Sequence, residues 1–155
     1  MLIRLIWLWM IGVVGIAMLY LLFTDVLTPT HQEDMAQMRV YAYRDWQSTG
    51  IRLEVGEEAV IRATGEWLYT PNEWHGAEGH ARYPAPNFYP MSHVPGGLLL
   101  ARIGEAGGPV WVGKDTTLWV NEPGMLYLRI NDDQLSDNKG VLDVKIEVIP
   151  APEPD

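Results

Sequence analysis

The chain has 155 residues, no cysteine, and 20 Asp and Glu against 11 Lys and Arg, for a formal charge of −9. The lack of thiols excludes a disulfide framework, a thiol nucleophile and a thiolate metal site. The acidic balance repels phosphate backbones, so nucleic acid is excluded as a partner.

The first element is apolar. From Leu5 to Phe23 there is no charged residue and no proline. A helix of that length spans roughly 28 Å, close to the hydrocarbon core of a bilayer. The run is longer than a signal-peptide h-region and ends in Leu21-Leu22-Phe23-Thr24-Asp25, a poor cleavage site, so a retained single-pass transmembrane helix over 1–23 is expected. A buried core helix would need surrounding elements that so short a terminal segment lacks. Arg4 precedes the run, whereas Asp25, Glu33 and Asp34 follow it before Arg39. The positive-inside rule then puts the N-terminus in the cytoplasm and everything after residue 24 outside it, as for a protein of the bacterial inner membrane with a periplasmic domain. Trp7, Trp9 and Tyr20 sit where interfacial anchors belong, with Arg4, in the lipid bilayer. Gly12, Gly15 and Ala17 are small enough for another helix to approach, but their spacing is not GxxxG.

Residues 24–38 read as a linker: Thr28-Pro29-Thr30 is extended, and His31 to Met38 fits a short helical turn. From residue 39 to 149 the period is two. Ile51, Leu53 and Val55 alternate with Arg52 and Glu54; Ala59, Ile61 and Ala63 follow. Leu126, Leu128 and Ile130 repeat the pattern, as do Leu142, Val144, Ile146 and Val148. Each is a half-buried strand. Turn signals separate them at 104–108 and 121–124, and no helical period of useful length intervenes. The fold class is therefore all-β, a small antiparallel β-sandwich of about 110 residues, one domain by size. Pro150, Pro152 and Pro154 end it in an acidic tail over 150–155.

Residues 70–97, with five prolines and the aromatics Trp74, Tyr83, Phe88 and Tyr89, read as one long loop packed over an end of the sandwich or against a partner. Of Trp46, Trp67, Trp111 and Trp119, beside or within predicted strands, two or three are expected in the core. His75 and His80, with Glu78 as a third donor, form a candidate zinc set, although loop histidines flanked by glycine more often face solvent. The loop Asn131-Asp132-Asp133-Gln134-Leu135-Ser136-Asp137-Asn138 is dense in the oxygen donors that a hard cation takes. It lacks EF-hand spacing, and a solvated hairpin loop would have the same composition. No nucleophile elbow, phosphate loop or H-E-x-x-H is present, so no enzyme activity is expected.

Three stretches carry a family resemblance: residues 63–69 (ATGEWLY), 97–104 (GLLLARIG), and the 131–138 loop with Gly140 and the last strand. In order and spacing, residues 61–148 resemble the calcium-dependent galactophilic lectins of bacteria. That resemblance implies a jelly-roll-like sandwich, with calcium held by Tyr69, Asp132, Ser136, Asp137 and Asn138. It implies a galactoside site involving Tyr69, Tyr83 and Asp132. There the chain departs from the family: Tyr83-Pro84 stands for a His-Pro pair, the loop has no glutamine, and Asp137 replaces an amide.

Two functions follow. The first is an accessory or stabilising subunit of a larger membrane complex, respiratory or photosynthetic for example, partnered by other transmembrane and extracytoplasmic subunits. It is favoured because a lectin gains little from a linker that holds it near its own membrane. The second is a membrane-tethered, calcium-dependent galactoside-binding lectin.

Overall fold

The computed structural model describes residues 34–152. The expected anchor, its flanking Arg4, Trp7, Trp9 and Tyr20, and the end of the acidic tail lie outside those residues.

Eleven strands follow in chain order: β1 (Asp34–Tyr41), β2 (Gln47–Leu53), β3 (Glu58–Thr70), β4 (Glu73–His75), β5 (His80–Pro84), β6 (Pro95–Gly96), β7 (Leu99–Ile103), β8 (Val110–Trp111), β9 (Asp115–Trp119), β10 (Gly124–Ile130) and β11 (Lys139–Ile149). A 3₁₀ turn, Leu135–Asp137, links the last two. All strand pairs are antiparallel. One sheet has the order β1-β11-β3-β4, with β9 on the first half of β3; the second is β2-β10-β7-β8; β5 and β6 form a separate ribbon.

The alternation read in the sequence becomes the inner face of these sheets. β11 pairs along its whole length with β3, from Lys139↔Leu68 to Ile149↔Glu58, and with β1 on its other side. That register buries Leu142, Val144 and Ile146 beside Ala59, Ile61, Ala63 and Val40. Leu126, Leu128, Leu99 and Ala101 of the second sheet complete the same core. The result is the expected all-β antiparallel sandwich.

Four expectations change. Residues 34–38 are strand, not linker or helical turn, because Ala36, Met38 and Val40 turn inward while Met35, Gln37 and Arg39 face water, continuing the period of two. Val55 is 58% exposed, since its strand ends at Leu53 and the Glu54–Glu57 turn carries it outward. Segment 70–97 contains β4, β5 and β6, which pair its backbone locally. Of the four tryptophans expected to supply the core, Trp67 alone is fully buried; Trp46 is half-buried, while Trp111 and Trp119 are exposed.

Candidate functional site

The site forms where β10 runs out into the 131–138 loop. Asn131 anchors that exit. Its main chain donates to Leu98 O (2.8 Å) and accepts from Gly97 N (2.9 Å). Its side chain accepts from Met91 N (3.0 Å) and donates to Met91 O (2.8 Å), so it clamps the aromatic segment over β10. A fully satisfied buried amide of this kind holds backbone; it is not a ligand.

Asp132 follows and is 3% exposed. Its Oδ2 accepts from Asn138 Nδ2 at 2.7 Å, and its Oδ1 from Gln134 N at 3.4 Å. Burial pushes the Asp132 carboxyl above the ordinary carboxylate range; the Asn138 amide, the Tyr89 hydroxyl and the backbone N–H groups of Gln134 and Asp133 oppose that rise. Asn138 is 4% exposed, and its Oδ1 is buried with no hydrogen-bond donor. An orphaned amide oxygen beside a buried carboxylate is costly in a neutral setting and well suited to a cation.

Tyr69 closes the other side. Its hydroxyl lies 3.2 Å from that of Tyr89, and burial raises the ionisation of both phenols, with the nearby Asp132 charge adding to the rise. The two phenols therefore serve as neutral hydrogen-bonding groups. Close approach sets this geometry. A Cβ on Gly96 would collide with Tyr69 Oη, and one on Gly97 (φ +73°) would meet Tyr69 Cγ at 2.8 Å. Trp67 Nε1 donates to Gly97 O at 2.8 Å and ties the pair to the core.

Asp132 also opens onto a cleft of about 450 Å³, lined with Trp46, Phe88, Tyr89, Arg102 and Arg129 among others. Arg129 is buried, ion-paired with Asp45, and donates to Asp132 O at 2.6 Å. Burial lowers its pKa, opposed by Asp45 and Asp132. Arg102 lies 4.6 Å from the Trp46 ring and 5.0 Å from that of Tyr127. Among the described residues it has no carboxylate partner, and its Nε is buried without an acceptor.

Of the residues expected to hold calcium, the fold brings Tyr69, Asp132 and Asn138 together. Ser136 and Asp137 are exposed on the 3₁₀ turn between the latter two. Tyr83 stands exposed at the rim, edge-on to Tyr69 with ring centroids 6.3 Å apart. Tyr89, Arg102 and Arg129 are additions to the sequence reading. Tyr89 is legible there only as an aromatic in an irregular segment. The arginines read as the outward positions of strands, with nothing to distinguish them from solvated ones.

The architecture is that of a lectin-like β-sandwich. The solved N-terminal domain of EclA, described as a PllA-like lectin, is similar at 24% identity with a TM-score of 0.58, over 74% of this chain and 96% of that domain. At that identity the likeness establishes the fold. No protein-family model matches the sequence, and no curated protein matches it.

Proposed function

We propose that the domain is a non-catalytic, calcium-assisted carbohydrate-binding module. It would be carried by a single-pass anchor over residues 1–23 on the periplasmic face of the bacterial inner membrane. The observation that carries the calcium assignment is the buried Asp132–Asn138 pair with its orphaned Oδ1. Asp132, Asn138, Asp137 and Ser136 would hold the ion, with the Tyr69 end of β3 beside them. When bound, calcium supplies positive charge and coordination sites for vicinal hydroxyls. The chain's own groups do the rest. Trp46, Phe88 and Tyr89 offer flat apolar faces for a sugar ring, while Arg102 and the carboxylates provide directed hydrogen bonds at its edges.

Galactosides are the first sugars to try, although the Tyr83 substitution and the missing glutamine remove two family contacts. Isothermal titration of the full-length protein in detergent tests the reading: W46A and D132N should abolish sugar heat that the wild type shows in calcium. Wild-type heat that survives in both variants contradicts it.

The accessory-subunit reading draws on Val110, Trp111 and Trp119, exposed on β8 and β9, with Trp119 67% exposed. Native sizing in mild detergent separates the two: an accessory subunit co-purifies with other chains, whereas a tethered lectin runs alone or as a small homo-oligomer.

A further inference from the structure

On β4 and at the start of β5, Glu73, His75 and His80 each offer one donor atom, all within 4.8 Å of one another. Glu73 takes the place that Glu78 was expected to fill; the Glu78 carboxylate instead lies against Gly76. Both imidazoles point Nε2 at the same oxygen, Glu73 Oε2, His80 at 3.0 Å and His75 at 3.5 Å. The two rings are 4.5 Å apart. His75 Nε2 is buried and has no hydrogen-bond partner.

We propose that these three side chains bind a borderline divalent transition metal such as Zn²⁺, at a site separate from the calcium position. Donors at about 2.1 Å in a tetrahedron lie about 3.4 Å apart, close to the 3.0 and 3.5 Å that separate Glu73 Oε2 from the two imidazole nitrogens. Two imidazoles and one carboxylate leave a fourth position for water. Hard cations are disfavoured, because two of the three donors are nitrogen.

The site has a defined cost. Arg82 N donates to His80 Nδ1 at 3.2 Å, so in the neutral ring Nε2 carries the proton and faces Glu73. Metal binding moves that proton to Nδ1 and releases the Arg82 bond. Two hydrogen bonds, His80 Nε2 to Glu73 Oε2 and Arg82 N to His80 Nδ1, are exchanged for metal–ligand bonds. His80 lies 6.3 Å from the Tyr83 ring, and Tyr83 is 6.3 Å from Tyr69. A bound metal therefore ties β4 to β5, the strand that carries the rim tyrosine.

The test is Zn²⁺ titration of the full-length protein in detergent against a chromophoric chelator, with Co²⁺ absorption as a second readout. One equivalent should bind, with visible bands from Co²⁺. H80A and H75A should each weaken binding by about 10–100-fold, whereas H93A and D132N should leave it unchanged. The partly exposed His80 tolerates truncation, so H80A decides the matter even if H75A misfolds. Substoichiometric uptake, or H80A binding within twofold of wild type, overturns the proposal. Neither result depends on whether the protein binds sugar.

Discussion

Replacing Asp132 with Asn separates the cation-binding role of this carboxylate from any role in folding. In the folded chain Asp132 is buried, and burial holds its pKa above the ordinary value of 3.8. Between that value and the raised one, the folded state binds more protons than the unfolded state, so stability falls as pH rises. Above the raised value the full desolvation cost remains, about 1.4 kcal/mol for each tenfold change in the proton-binding constant. D132N keeps the oxygen that accepts from Asn138. It loses the long 3.4 Å bond from Gln134. Without calcium at pH 7, D132N should therefore match or exceed the wild type in urea unfolding, with any gap closed below about pH 4. With calcium the order reverses. Two carboxylates and a few neutral oxygens place the site at the weak end of protein calcium sites, about 10⁻⁴ M. At about 10 mM calcium the wild type then gains about 2.7 kcal/mol, or roughly 10 °C in Tm for a domain of this size, and D132N gains none. A loss of about 3 kcal/mol or more by D132N in chelator would make the ionised carboxylate a structural group, and its assignment to cation binding would fall.

Trp67→Phe removes the buried 2.8 Å bond to Gly97 O and leaves a void, so chemical denaturation should show a loss of about 2–4 kcal/mol. Gly97→Ala forces a Cβ to φ +73° and against the Tyr69 ring, which should cost about 2–4 kcal/mol in the same assay and weaken calcium binding measured by calorimetry. Arg102→Ala removes the stacking on Trp46 and Tyr127 but no ion pair, so it should cost about 1 kcal/mol in chemical denaturation while lowering sugar affinity about 10-fold in titration calorimetry.

The sandwich is legible in the sequence because its strands bury one face, and a period of two is then written in residue type. Ala59, Ile61 and Ala63, or Leu142, Val144 and Ile146, admit no other reading. The start of β1 escapes that reading because Met35 is apolar yet exposed, which blurs the alternation. Strands β4 to β6 are two to five residues long, with Pro84 ending β5 and Pro95 opening β6, too short for any period to register. Within the site, Asp132 and Asn138 stand out because polar residues cluster after a well-patterned strand. Their pairing across six residues, and the Tyr89 that meets them from about forty residues away, are products of tertiary packing. The zinc set shows the same limit: His75 and His80 are visible in the sequence, but Glu73 joins them because residues 73–75 are a strand, which puts Glu73 and His75 on one face.

The most direct measurement is retention of the full-length protein, in detergent, on an immobilised glycan panel that includes galactosides. A calcium-assisted lectin binds in millimolar calcium and is released by chelator. Absence of binding to every glycan in calcium, or retention that chelator does not change, would contradict that function.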